Sequence, residues 1–351
     1  MTSKERVIRS FVSGAVDRPP IFYMGTDKVN AKLAGRLGLT DNADANAVGT
    51  ALGADVVFAR PRFVGPAGAP RGFPIGQVHA QIHGEGANHS GDGTAGALRG
   101  IDDPKAVGDS SCWPDPEHFD YELPAEIRHA SRELAVVARG NGALFLAAMS
   151  LRGMSEFLVD MALNPPMSHA ILSRVTDYYE RRIDKLLEAS GSSIDIVDIG
   201  DDVAGQNGML FSVDMWREFI KPHLERLVAV AHRYHKRALF FGCGGFRPVV
   251  DDLIEIGFDA VGRLQTEARG NEFTALKRDF GDRVGLWGAV DAQHVLVEGS
   301  PTDVAKHVDF LVTAATPGGR VVLGPTHTFT ADTPTENILA MYRTLRAVSQ
   351  G

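Results

Sequence analysis

Four residues of this 351-residue chain stand out for what their side chains can do: Cys243, His327, Asp201 and Asp202. Cys243 lies in Gly242-Cys243-Gly244-Gly245, where glycines on both sides let the backbone approach a ligand closely or adopt positive φ. A thiolate there can bind a soft metal or act as a nucleophile, and a buried structural cysteine in a tight turn is the competing reading. His327 follows an apolar run and a proline turn. It is a candidate metal ligand, general acid or hydrogen-bond donor, or a histidine that stabilises the turn. Asp201 and Asp202 are adjacent, so in an extended loop their side chains diverge and one at most faces a cavity. A carboxylate there can orient a substrate or act as a base, or it can cap the next helix. Asp27, Arg60, Arg152, Gln206, Gln265 and Asp291 are the candidate substrate contacts. His79, His83 and His89 fall in a Gly-rich stretch and read as an exposed hairpin. His232 and His235 read as surface residues. The glycines around Cys243 do not have dinucleotide-binding spacing, and no Walker loop, Gly-x-Ser-x-Gly elbow, Cys-x-x-Cys or His-Glu-x-x-His occurs.

These residues need a scaffold that brings distant segments together. Eight short apolar runs recur along the chain: Ile21–Met24, Asp55–Ala59, Leu144–Ala148, Asp195–Ile199, Ala238–Phe241, Asp259–Gly262, Val284–Trp287 and Val321–Gly324. Most are unbroken by polar residues, as suits strands buried on both faces of a parallel sheet. Helical patterns separate most of them, the longest over 123–139, 167–190 and 219–236, with shorter ones over 248–256, 272–280, 302–314 and 335–348. Alternation of this kind predicts an α/β fold, a (β/α)8 TIM barrel, with a doubly wound sheet as the alternative. An amphipathic helix is expected over 3–13, and residues 61–121, including Gly84–Gly93, read as an inserted hairpin and loop between strands two and three. With no repeat or linker in view, one domain spanning 1–351 is expected. In a barrel the chemistry sits at the strand C-termini, and every candidate above except the insertion histidines, His232 and His235 falls near such an end.

Composition narrows the function classes. A net charge of −8 argues against general nucleic-acid binding, and charged residues at 23% with hydrophobic ones at 44% are those of a globular protein. Two cysteines cannot form a disulfide framework, no run is apolar enough for a membrane span, and the N-terminus lacks a signal-peptide core, so a cytoplasmic protein is expected.

The order of motifs resembles the uroporphyrinogen decarboxylase superfamily, which includes cobalamin-dependent methyltransferases of methanogens and of O-demethylation systems. The resemblance is carried by Glu5-Arg6-Val7 with Gly14-Ala15-Val16-Asp17-Arg18-Pro19-Pro20. It continues through Asp201-Asp202-Val203-Ala204-Gly205-Gln206-Asn207 and Trp216-Arg217-Glu218-Phe219-Ile220-Lys221-Pro222. The densest part is Cys243-Gly244, residues 252–260 and 276–283, Trp287-Gly288-Ala289-Val290-Asp291-Ala292-Gln293, and Pro334-Thr335-Glu336-Asn337-Ile338. It implies a TIM-type barrel, often a homodimer. Family decarboxylases hold porphyrinogen carboxylates through Met-Arg-Gln-Ala-Gly-Arg. Here Met24-Gly25-Thr26-Asp27-Lys28 lacks both arginines, so that substrate is not expected. Family methyltransferases bind zinc through His-x-Cys after strand five and a cysteine after strand eight. The matching residues are Phe241-Gly242-Cys243 and His327, so Cys243 and His327 are the metal candidates, with Asp201, Asp202 or Glu85 as a third ligand, and a metal-free site remains the alternative. The resemblance therefore implies a methyltransferase-type enzyme acting on a small polar or aromatic substrate, linked to zinc and to a corrinoid on a partner protein. Two alternatives stand beside it: a metal-independent decarboxylase or lyase acting on a small carboxylic acid, and a barrel that binds a ligand without turning it over.

Overall fold

The computed structural model describes residues 1–12, 16–75, 78, 94–316 and 318–347. Seven strands form one parallel sheet in chain order: β1 (Val56–Ala59), β2 (Ala135–Asn141), β3 (Ile196–Ile199), β4 (Arg237–Phe241), β5 (Ala260–Leu264), β6 (Gly285–Val290) and β7 (Val321–Pro325). Residues 20–25 run between the edges of this sheet. The Asp55 N–H donates to the Ile21 carbonyl at 2.7 Å and the Leu323 N–H to the Pro20 carbonyl at 2.8 Å. The expected first strand is thus a pair of isolated parallel bridges, Ile21 with Leu323 and Gly25 with Phe329, rather than a regular strand.

Each strand is buried on both faces, and its period of two decides what each face packs against. Val56, Phe58, Ala135, Val137, Ile196, Leu239, Phe241, Ala260, Trp287 and Val322 pack on one side with Val7 and Phe11 of the N-terminal segment. The intervening Val57, Ala59, Val136, Ala138, Val197, Phe240 and Val261 pack against the helices. The enclosing helices largely match the expected ones: Pro165–Ser190, Lys221–Arg233, Val250–Glu255, Phe273–Phe280, Pro301–Ala315 and Thr335–Ala347. The N-terminal helix is shorter than expected, Ser3–Arg9.

The third strand departs from the sequence reading. Leu144–Ala148 belongs to a helix, Leu144–Arg152, and the strand is Ala135–Asn141, inside the segment expected to be helical over 123–139. The physical reason is burial. All nine residues of Leu144–Arg152 are buried, so the helix is apolar all round and shows no 3.6-residue period. Only a short helix, Ala125–Ala130, precedes the strand. In the expected insertion, Arg62–Phe63 pairs antiparallel with Phe119–Asp120, whereas Gly84–Gly93 and the three insertion histidines lie outside the described residues.

The N-terminal family motif closes the end of the sheet where β1 begins. The Asp55 carboxylate has no solvent exposure. It accepts from Arg6 Nη1 at 2.7 Å, Arg18 Nη1 at 2.6 Å and the Ile21 N–H at 2.8 Å, and Arg6 also grips Asp17 at 2.7 Å. Two guanidiniums share this one carboxylate: Arg6, which also holds Asp17, and the half-buried Arg18, which has no other ion-pair partner among the described residues. Removing it strands the Arg18 charge and leaves Arg6 with Asp17 alone, so Asp55→Ala is expected to cost about 3–5 kcal/mol in urea unfolding, while Arg36→Ala in the exposed Arg36–Glu336 pair costs under about 1 kcal/mol.

Candidate active site

Extending the inner face by two residues from Phe58, Val137, Ile196 and Leu239 reaches Arg60, Arg139, Asp198 and Phe241. All four line one cavity of about 250 Å³. Two breaks in the register shape its wall. Ala138 pairs with Val197 and Asn141 with Ile199, so Arg139 and Gly140 both fall opposite Asp198, with Gly140 at φ +84°. On β5, Gly262 pairs with Trp287 and Leu264 with Gly288, leaving Arg263 as the extra residue of a bulge at φ +53°. A non-glycine residue in that region carries about 1–2 kcal/mol of strain, and the bulge re-aims its side chain, so Arg263 lines the cavity although its neighbour Leu264 packs with the helices.

Three guanidiniums therefore surround one carboxyl. Burial pushes the Asp198 carboxyl above its ordinary pKa against the pull of Arg139, Arg263 and Arg60. Burial, then the like charges of Arg60 and Arg263, bring Arg139 down to about 9. Desolvation also lowers Arg60, although the residue keeps substantial solvent exposure, with Asp198 opposing and Arg182 and Arg263 adding to the shift. Among the described residues neither Arg60 nor Arg139 donates a hydrogen bond or closes an ion pair, and Arg139 rests against the rings of Phe58 at 5.4 Å and Phe241 at 6.0 Å. Arg263 lies over the Phe241 ring at 4.4 Å and donates from Nη1 to Cys243 Sγ at 3.2 Å, while its buried Nε has no partner among the described residues. Burial opposes the Arg263 charge, but Cys243 and Asp202 outweigh it and hold its pKa above the ordinary value.

Asp201 supplies a different chemistry. Its two oxygens accept the N–H groups of Phe145 and Leu146 at the N-terminus of Leu144–Arg152, the second at 3.1 Å. Burial nevertheless raises its pKa to about 8, so the side chain is an acid at neutral pH. Its conjugate base would be met by two backbone donors and the helix dipole. Tyr179, from the helix Pro165–Ser190, Leu146 and Ile75 add apolar wall, and Thr26, His327, Thr328 and Thr330 also line the cavity. Thr26 Oγ1 is buried without a partner.

Of the residues singled out from the sequence, Arg60, Asp201, Asp202 and His327 line this cavity. Cys243 sits behind its wall, 1% exposed, with its N–H donating to Asp202 Oδ1 at 2.8 Å. Arg152 is committed elsewhere, to Asp160 at 2.7 Å and the carbonyls of Leu98 and Ile101. Gln265 uses Oε1 to accept the Gly244 N–H at 2.6 Å and Gln206 Nε2 at 3.3 Å, which ties two loops together. Asp291 caps the N–H groups of Gln293 and His294, and Asp27 is exposed at the start of Asp27–Leu37. Arg139 and Tyr179 were not singled out. A helical reading of 123–139 hid the former, and the latter lies mid-helix with no local signal. Asp198 and Arg263 were visible as strand-end residues, but only the alternation and the bulge turn them inward.

A sequence profile for uroporphyrinogen decarboxylase (URO-D) matches residues 121–348. The chain belongs to the URO-D family. No curated protein matches the sequence. Among solved structures, a methyltransferase from Methanosarcina mazei is similar over 99% of both chains, with a TM-score of 0.63 and 18% identity, a likeness of fold. A 3-keto-D-glucoside 4-epimerase from E. coli covers 65% of this chain and 95% of its own at a TM-score of 0.36 and 12% identity.

The positions that the URO-D resemblance assigns to zinc do not fit that ion in this chain. The first is the Phe241 ring, already covered by a guanidinium, and the second, Cys243, has the same guanidinium at 3.2 Å, where a dication would meet like charge. Among the described residues no three His, Cys, Asp or Glu side chains gather as a metal site. Glu85 lies outside those residues.

The raised pKa of Asp201 has a consequence for stability. Between about pH 4, where an unfolded aspartate ionises, and about 8, the native chain holds one proton more than the unfolded chain. Stability from this group therefore falls as pH rises through that window, and the slope ends above it. Asp201→Asn, which keeps an acceptor for the helix N–H groups, should flatten this dependence when urea midpoints are compared from pH 5 to 8.5.

Proposed function

We propose that this URO-D family member is a metal-independent enzyme acting on a small carboxylic acid, with decarboxylation as the reaction. The observation that carries the reading is the pair Arg60 and Arg139, set in a cavity with no hydrogen-bond or ion-pair partner among the described residues. Guanidiniums left in that state, Arg139 half-buried and Arg60 exposed, provide charge-assisted donors for an anionic ligand. The cavity, about 250 Å³, suits a small ligand.

The chemistry that suits these groups is a proton in and CO2 out. The bond from carbon to the departing carboxyl breaks, and its electron pair passes to a conjugated oxygen of the substrate, where Arg60, Arg139 and Arg263 stabilise the negative charge. The Asp201 proton then goes to the carbon, and the two N–H donors of Phe145 and Leu146 receive the carboxylate that results. Asp198 keeps the three guanidiniums from standing wholly unbalanced.

A panel of small oxo and hydroxy carboxylic acids, assayed for CO2 release in the presence of chelator, tests this reading. Asp201→Asn should lower kcat by about 10²-fold or more, and the rate should fall as pH rises past about 8, where Asp201 loses its proton. Arg139→Gln and Arg60→Gln should each weaken substrate binding about 10–100-fold, the worth of a hydrogen bond to a charged group. CO2 release that requires added zinc, or no release from any acid, would refute the proposal.

Methyl transfer is the second reading, favoured by the full-length fold likeness to the methyltransferase from Methanosarcina mazei. It brings with it zinc at Cys243 and His327, a corrinoid protein and a homodimer. Methylation of a thiol from methylcobalamin, dependent on zinc and on Cys243, would establish it in place of decarboxylation. Ligand binding without either turnover would leave a binding barrel.

A further inference from the structure

We infer that Arg263 is the fixed cation of this site, standing where the family resemblance would place a metal, and that Cys243 is a positioning residue that acts through it. This rests on the anion-binding reading of the cavity. Three independent features converge on the Arg263 side chain. The β5 bulge places it in the left-handed region, a strained conformation that faces it into the cavity. The Phe241 ring, at the first of the two neighbouring zinc-ligand positions, supports the flat of the guanidinium at 4.4 Å. Cys243 Sγ, at the second, accepts Nη1 at 3.2 Å.

The sulfur is itself held in place. The Cys243 N–H is bound to Asp202 Oδ1, and Gln265 fixes the adjoining Gly244 N–H. The thiol thus clamps one edge of the guanidinium and leaves buried Nε without a partner among the described residues, on a side chain that lines the cavity. A guanidinium gripped on one edge and one face presents its remaining donors in a fixed direction, which lowers the entropy lost when an anion binds. The positions that would supply two metal ligands instead supply a ring and an acceptor for an organic cation. A positive centre is kept without a metal.

The test uses the full-length chain with benzoate and malonate as probes, titrated calorimetrically at constant ionic strength, alongside zinc titration against a chromophoric chelator. Wild-type protein should bind at least one probe and should show no tight zinc site that depends on Cys243. Arg263→Gln should weaken the probe at least ten-fold. Arg263→Lys, which keeps the charge but not the fork, should weaken it nearly as much. Cys243→Ala should weaken it about five-fold or more, and Cys243→Ser, which restores an acceptor, should recover most of that loss. Circular dichroism and melting curves identify a variant that fails to fold, and if Cys243→Ala does, the comparison of Cys243→Ser with Arg263→Lys carries the test. Stoichiometric zinc lost in Cys243→Ser but kept in Arg263→Gln would overturn the inference. So would wild-type affinity in Cys243→Ala, or no probe binding by the wild type. Anion binding with this Cys243 dependence but no CO2 release would sink the decarboxylation reading alone, whereas CO2 release with Cys243→Ala indistinguishable from wild type would sink this inference alone.

Discussion

Like charges gathered where solvent is partly excluded repel more strongly than in bulk water, and the mouth of this sheet, with Arg139 and Arg263 half-buried and Arg60 exposed, is organised around that cost. Arg60, Arg139 and Arg263 reach one cavity from three different strands, with Asp198 as the central counter-charge. Several features around it answer to the imbalance. Phe58 and Phe241 offer ring faces to two of the guanidiniums, Cys243 offers a sulfur to one, and Asp202 adds its charge behind. Under the proposed function, an anionic substrate is the group that balances this residual positive charge.

The opposite end of the sheet solves its own charge problem completely. There Asp55 satisfies Arg6 and Arg18 and also anchors the Ile21 N–H, so the Arg6…Asp17-Arg18 motif is consumed in holding the N-terminal segment to β1. The contrast between the two ends is informative. Arginines paired with carboxylates at one end build structure, and those at the other, with no such pair among the described residues, are the groups that the proposed function assigns to a substrate. The motif Trp216–Pro222 belongs with the first kind, since Arg217 and Lys221 both bind Asp252. Much of what makes the family recognisable in this chain is therefore scaffold, and the groups facing the cavity come largely from between the motifs.

How much of the site was legible follows from the same distinction. Asp201, Asp202, His327 and Arg60 could be placed because turn residues and strand ends mark them locally. Arg139 was concealed by the exchange of a helix and a strand around residues 123–152, where an all-buried helix and a buried strand have the same unbroken apolar texture. Arg152 looked equivalent to Arg60, but it sits at the end of that helix and is spent on Asp160. Cys243 stood out among its glycines, yet nothing local shows that its sulfur faces a guanidinium twenty residues away.

By itself, the sequence determined the class of fold, most of the helices, the family and the neighbourhoods in which chemistry could lie. Those properties follow from periodicity, turn residues and motif order, all short-range along the chain. Tertiary structure alone decided which charges meet. Whether an arginine is neutralised or left for a ligand depends on strand register, on the bulge at Arg263 and on the two residues that fall opposite Asp198. A one-residue change in register moves a side chain to the other face of a sheet, and no composition or local pattern records that shift.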